Sequence, residues 1–447
     1  MPRPEYIIEM VYGYKNIWQI ALPVLLGMLF QQLIGVTDVI FLGRYGEIEL
    51  GASAIAGLYY ITVYMLGVGF GIGVQILIAR LNGAGQFRKI APVFYHALGL
   101  MSAFALAAVA VSEFAAKPLL NLLIESPQVR AAAAEYLHYR VWGFVFAFGI
   151  VAFRSFCVGI TRTVILTVSA VVMLLVNLVL NYLLIFGTCG FPKMGIGGAA
   201  LASVIAEAAA LLCFVVHILR YVDFKKYAFN LRCRFRWQIL RQIFALSVWT
   251  TLQLFISFGG WFVFFVAIEH VGSLELAASN VLRSLSSLIY MVIAALEATT
   301  ASLVANLVGL RKNREIPPTT GRVIKTCYLT ILAILLILAL MPRGVLRLYT
   351  DDANIISASV DAYYVMLGSF LVMVPSIIWC SVIIGCGHTR QAMLIEIVAM
   401  AVYVLNVWYV VLYRHSSLAV CWSCDYPYNM VIGILSYVYL RRRKILF

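Results

Sequence analysis

The chain has 447 residues, of which 63% are hydrophobic and 12% charged, with a formal net charge of +14. Soluble domains carry about 25% charged and about 45–50% apolar residues, so this composition excludes a soluble enzyme, a disordered chain and a small disulfide-stapled domain. A spanning helix takes about 20 apolar residues, which makes this a polytopic, all-α membrane protein. The excess of 33 basic over 19 acidic residues fits Lys- and Arg-rich cytoplasmic loops, and no nucleic-acid partner is expected. Cys421 and Cys424 have CxxC spacing, but no second pair or nearby His completes a tetrahedral set, so no structural metal is expected. The polar start lacks the short apolar region and small-residue site of a cleaved signal peptide.

In chain order, apolar runs fall at 16–41, 53–78, 92–112, 133–158, 164–187, 195–219, 242–267, 277–304, 324–345, 358–386, 391–413 and 416–440. The pattern predicts twelve spans. The last is the least secure as a spanning helix, because it opens on the polar stretch RHSSLAVCWSCDYPYNM. The termini and the segments after even-numbered spans hold 23 basic residues, including Arg3, Lys15, Arg80, Arg232 and Arg441 to Lys444, against seven on the opposite side. That asymmetry predicts a multi-pass protein of the cytoplasmic membrane with both termini in the cytoplasm.

The chain also repeats itself. Gly46-Glu-Ile-Glu-Leu-Gly-Ala-Ser53 matches Gly272-Ser-Leu-Glu-Leu-Ala-Ala-Ser279 at an offset of 226, which also pairs Gly83 with Gly309 and Glu135 with Asp361. Farther on, Gly159-Ile-Thr-Arg162 matches Gly387-His-Thr-Arg390, and Asn177 matches Asn406. The expected organisation is a six-helix bundle over 1–219, a basic cytoplasmic linker over 220–241 and a second six-helix bundle over 242–447, the bundles keeping the same orientation. The linker, KKYAFNLRCRFRWQILRQ, mixes aromatics with cations in a manner suited to an amphipathic helix on anionic lipid.

Ionisable groups inside spans cost about 2.5–3.5 kcal/mol each and default to functional sites. Asp38 lies in the first span, with Gln31 on the same helical face and Pro23 offering a place to bend. Asn177 and Asn181 are one turn apart on the fifth span, so both amides face one side. Ala199, Ser203 and Glu207 form a stripe on the sixth span. Glu297 and Glu396 are second-half acids without an evident local partner, and Arg140, Arg154 and Arg283 fall within spans. Walker, HExxH and GxSxG patterns do not occur, leaving ATP coupling and hydrolysis unsupported and no enzyme expected.

Asn177-x3-Asn181 running on through Gly187, Gly190 and MGIGGAALAS (194–203), the first-span stretch QLIGVTDVIFLGRYG, the GxGxxxxxARxNGAG stretch from Gly71 and the GxTR repeats resemble the multidrug and toxic compound extrusion (MATE) family of the MOP flippase superfamily. The resemblance extends to about residue 410 and implies two pseudo-symmetric six-helix bundles in a V. It implies export of amphipathic, often cationic compounds by alternating access against inflow of H⁺ or Na⁺, with no other cofactor. Asp38 matches the family's first-helix coupling acid, Gln31 a substrate-cavity residue and Asn177 a cation-site amide. Ser203 stands where a hydroxyl is common, and Asn181 replaces a second Asp, leaving one charge fewer. Pro23 is the expected bending point and Glu297 the second-half candidate. Na⁺ at Asp38 is the one metal ion to consider. The expected partners are small amphipathic substrates and the lipid bilayer, and a monomer is expected. A lipid-linked oligosaccharide flippase of the same superfamily is the alternative, needing a more cationic cavity that only Arg140, Arg154 and Arg283 could supply. A channel or receptor would need a polar pore stripe or an extramembrane binding domain, and the sequence offers neither.

Overall fold

The structure, a computed structural model, describes residues 12–229 and 234–445. Arg3, Arg232 and Cys233 lie outside the described residues, as do both chain ends whose side of the membrane was assigned from charge. Every regular element among the described residues is helical. The helices are α1 (Tyr14–Tyr45), α2 (Glu47–Gly83), α3 (Ile90–Leu123), α4 (Pro127–Arg140), α5 (Gly143–Gly159), α6 (Val164–Phe186), α7 (Gly195–Tyr221), α8 (Phe224–Tyr227), α9 (Trp237–Glu269), α10 (Ser273–Gly309), α11 (Ile316–Leu340), α12 (Pro342–Arg347), α13 (Ala353–Gly385), α14 (Thr389–Val407), α15 (Leu418–Trp422) and α16 (Asp425–Arg442). All twelve apolar runs fall on helices. Ten helices among the described residues are long and apolar enough to cross a membrane, or eleven if α4 and α5 form one span bent by 50°. Their outer faces carry bare apolar side chains, Leu106, Leu336, Leu405 and Ile434 each being 62–64% exposed, as suits contact with lipid rather than water.

Two of the expected spans are corrected. The fourth, read as continuous over 133–158, breaks between Arg140 and Gly143. The twelfth, read over 416–440, is a short helix (α15), a turn at Ser423 and Cys424, and then α16, which begins with Asp425 and ends in Arg441 and Arg442. Its polar start and basic end keep α16 outside the ten helices that are long and apolar enough by themselves.

The chain folds into two compact units, Leu22–Thr251 and Leu252–Phe447 joined by Met1–Ala21. The division thus falls inside α1 and α9, not in the 220–241 linker where composition changes. Packing gives the reason. Glycines alternate along α2, and Gly69 and Gly73 press directly on Thr251 and Ser247 of α9. The Ser247 and Thr250 hydroxyls donate to the carbonyls of Phe70 and Gly69 at 3.0 and 2.8 Å, tying the start of α9 to the first unit. Arg322 of α11 donates to the carbonyl of Tyr12 at 3.2 Å, tying the segment before α1 to the second. The described part of the linker is only partly a surface element: Tyr227 is buried and packs with Phe156 and Phe87, while Phe235 and Trp237 are exposed.

The internal repeat reaches down to backbone detail. α2 and α10 both have 37 residues. Each starts after a glycine, Gly46 or Gly272, over which the carboxylate of Glu49 or Glu275 folds so closely that a Cβ would overlap it. The turns that follow, Phe87–Lys89 and Asn313–Glu315, are both 3-10. Left-handed residues follow the helices at matching places, Gly85 (φ 68°) with Arg311 (φ 58°) and Thr161 (φ 60°) with Gly387 (φ 79°). The second pair keeps the offset of 226, where the Gly-x-Thr-Arg match pairs Gly159 with Gly387.

Candidate functional site

Three helices of the first unit converge on one carboxylate, and small residues make the convergence possible. On α1, Gly27 lies where a Cβ would stand 3.3 Å from the carbonyl oxygen of Leu166 on α6. The Thr167 hydroxyl of α6 donates to the Pro23 carbonyl at 3.0 Å, and α1 is helical straight through Pro23. α6 ends at Gly187 in the left-handed region (φ 70°), and the chain returns so tightly that Met194 N donates to the Leu184 carbonyl at 2.9 Å. Gly198 then lets α7 lie on α6, since a Cβ there would sit 2.7 Å from that same carbonyl oxygen. This close packing sets Ser203 opposite Asn177.

Asp38 receives three neutral donors. Asn181 Nδ2 donates to its Oδ1 at 2.6 Å, Asn177 Nδ2 to the same oxygen at 3.2 Å, and Ser203 Oγ to Oδ2 at 3.3 Å. The amides are linked in turn, Asn181 Nδ2 donating to Asn177 Oδ1 at 3.0 Å and Thr37 Oγ1 to that oxygen at 3.3 Å. Both asparagines are fully buried and Ser203 is 4% exposed. One atom is left over: Asn181 Oδ1 is buried without a hydrogen-bond partner. A buried carbonyl oxygen ordinarily finds a donor, so a carboxylate beside an unused neutral oxygen is a donor set that suits a proton or a hard monovalent cation.

The structure therefore brings together Asp38, Asn177, Asn181 and Ser203. Gln31, on the same helix, instead pairs with the Tyr64 hydroxyl of α2. Glu297 belongs to the second unit, where the Tyr290 hydroxyl lies 3.5 Å from its Oε2. There Glu396 of α14 accepts from Ser257 at 2.6 Å and from the Tyr428 hydroxyl, so neither second-half acid lacks a partner.

The sequence reading missed an ion pair. Arg140, the last residue of α4, reaches Glu207 of α7 with two bonds, Nη1 to Oε2 at 2.9 Å and Nη2 to Oε1 at 2.6 Å. The Tyr60 hydroxyl donates to both Glu207 oxygens at 3.1 and 3.2 Å, and the Tyr60 ring lies 3.6 Å below the guanidinium. A Cβ on Gly143 would overlap both Arg140 Nη1 and Glu207 Oε2, so the glycine after the α4–α5 break makes room for the pair. The available signal was an arginine and a glutamate in separate spans of one half, each too costly to bury alone.

A duplicated, all-helical polytopic membrane protein with a buried carboxylate and amide cluster in one unit is the class these features define. The MatE family model matches residues 23–183 and again 250–410, one match for each copy of the repeat, and the chain belongs to this family. It is 25% identical over 281 residues to a probable multidrug resistance protein NorM of Idiomarina loihiensis, covering 62% of this chain and 60% of that one. It is also 25% identical over 401 residues to the probable multidrug resistance protein NorM of Thermotoga maritima, covering 86% and 83%. The chain spans about 60% of the length of the first such relatives it matches. Among solved structures, the outward-facing conformation of a multidrug resistance MATE family transporter of the MOP superfamily aligns with a TM-score of 0.90 at 19% identity, covering 98% of this chain and 97% of that one. A MOP superfamily transporter from Pyrococcus furiosus, described as having a binding pocket of reverse polarity, aligns at 0.88 with 20% identity over 97% and 96%.

Proposed function

We propose that this protein is a cation-coupled antiporter that exports amphipathic, often cationic drugs across the cytoplasmic membrane by alternating access, with H⁺ or Na⁺ as coupling ion. The observation that carries the reading is the Asp38 cluster, in which three neutral donors hold a single carboxylate and the amide of one of them, Asn181, keeps a buried oxygen without a hydrogen-bond partner. When the cation leaves, the donors of Asn177, Asn181 and Ser203 stabilise the bare charge; when it binds, Asp38 becomes neutral and its hold on α6 and α7 loosens. Substrate affinity then depends on ion occupancy, the reciprocal linkage that exchange requires. A membrane potential supplies about 2.3 kcal/mol per net charge per 100 mV, which drives export of a neutral compound against a tenfold gradient. One-for-one exchange with a monovalent cation moves no net charge and draws on the concentration gradient of the coupling ion alone. The names of the relatives, multidrug resistance proteins, agree with this substrate class. The flippase alternative loses support because Arg140, one of its three candidate cavity cations, is neutralised by Glu207. The excess of basic residues in the termini and the segments after even-numbered spans supports termini on the cytoplasmic side, and the proposed working unit is a monomer.

The test is ethidium transport in proteoliposomes holding the full-length protein, with a proton gradient and a Na⁺ gradient imposed separately. Transport driven by one of the two gradients is the expected result. Equal transport with neither gradient would overturn antiport.

A further inference from the structure

The buried Arg140–Glu207 pair stands close to the Asp38 cluster without belonging to it. Glu207 is one helical turn beyond Ser203 on α7, hence on the same face, and Ser203 touches Asp38. The side chains of Arg140 and Glu207 are 11% and 6% exposed. The charge of Arg140 reaches Asp38 as an attraction. Asn177 and Asn181 from α6 and Ser203 from α7 bond to Asp38, and Arg140 with Tyr136 from α4 act on it through their charge and dipole rather than by contact. Among these described groups Arg140 is the sole cation. A guanidinium is always protonated, so without Glu207 it would be a permanent counter-ion to Asp38 and would compete with any mobile cation for that carboxylate.

The repeat makes the same point within one chain. At the offset of 226, Phe264 stands where Asp38 does and Met366 where Arg140 does. The second copy retains the backbone plan but has neither the acid nor the arginine.

We propose that Glu207 holds Arg140 as a neutralised charge beside Asp38, which keeps Asp38 open to the coupling cation and makes Arg140 and Glu207 positioning residues of the coupling site. This rests on the reading of Asp38 as the coupling acid. Removing one partner of a buried pair leaves the other charge uncompensated, whereas removing both is far milder. Glu207→Gln therefore releases Arg140 onto Asp38 and blocks coupling, and Arg140→Gln together with Glu207→Gln restores it. Arg140→Gln alone leaves an extra negative charge near Asp38 and tightens cation binding.

The experiment measures gradient-driven ethidium transport against coupling-cation concentration in proteoliposomes for the wild type, D38N, E207Q, R140Q and the R140Q/E207Q double variant. The expected pattern is a loss of at least about tenfold in E207Q, recovery to within about threefold of wild type in the double variant, and a half-saturating cation concentration lowered about tenfold in R140Q. A double variant as impaired as E207Q would overturn the proposal, because a mere brace between α4 and α7 is not rebuilt by deleting both ends. Where E207Q does not fold, R140Q decides: an unchanged half-saturating concentration contradicts the proposal. Wild-type transport by D38N would sink the underlying reading instead, so the two failures are distinguishable.

Discussion

The two halves of this protein start from one plan and have diverged where the chemistry lies. In the first, the fourth span breaks after Arg140 and the sixth, α7, runs whole; in the second, the corresponding α13 runs whole and the last span is broken into α15 and α16. The first places Asp38, Asn177 and Asn181 in one cluster. The second keeps Asn406 but has Phe264 and Val410 at the other two places. Phe264 is 2% exposed and packs edge-on to Trp422 of α15 at 5.6 Å, so an aromatic contact occupies the position of the acid. At the place of Asp38 one scaffold thus carries a polar cluster in one copy and an aromatic contact in the other, while the buried acids of the second copy, Glu297 and Glu396, lie elsewhere. The shared helix ends and left-handed residues belong to the common fold, and the two copies differ in the side chains they bury at this place.

That contrast can be broken at graded points. Phe264→Ala should have the largest effect on stability, about 3–5 kcal/mol in a detergent melting experiment, while the cation dependence of the remaining transport stays as it was. Asn181→Leu removes the shortest bond to Asp38 and the unused oxygen together. Its half-saturating cation concentration should rise about 10–100-fold, the usual cost of losing a partner that orients an ion ligand, whereas Val410→Asn should leave it unchanged. Gly143→Ala forces a methyl group into the Arg140–Glu207 pair and should cost about 1–3 kcal/mol. Its counterpart Ser369→Ala loses only a bond to a carbonyl of its own helix and should cost under about 1 kcal/mol in the same melt. Thr167→Val removes the bond to the Pro23 carbonyl, and a loss of about 1 kcal/mol is expected.

Much of this was legible in the sequence because the relevant order is local. Apolar runs mark spans, and i, i+4 spacing placed Asn177 and Asn181 on one face. The offset of 226 exposed a repeat that the helix ends then reproduced. What escaped depends on contacts between distant segments. Arg140 and Glu207 each look like an isolated charge until α4 and α7 are packed, and the break between α4 and α5 lies directly beside that pair. Gln31 shares a helix face with Asp38, yet a helix face is broad and Tyr64 lies nearer to it. The unit boundary inside α9 was hidden because composition marks where the chain meets water, while α2's glycines decide where α9 packs.

The central claim is that Asp38 couples the cation gradient to export, and the most direct measurement is ethidium transport by Asp38→Asn in proteoliposomes under the gradient that drives the wild type. The amide keeps the shape of the carboxylate and cannot take up a cation as a carboxylate does, so the variant should fold with an unchanged melting temperature and move no more ethidium with the gradient than without it. Gradient-driven transport at the wild-type rate would contradict the account and turn attention to Glu297 and Glu396 in the other half.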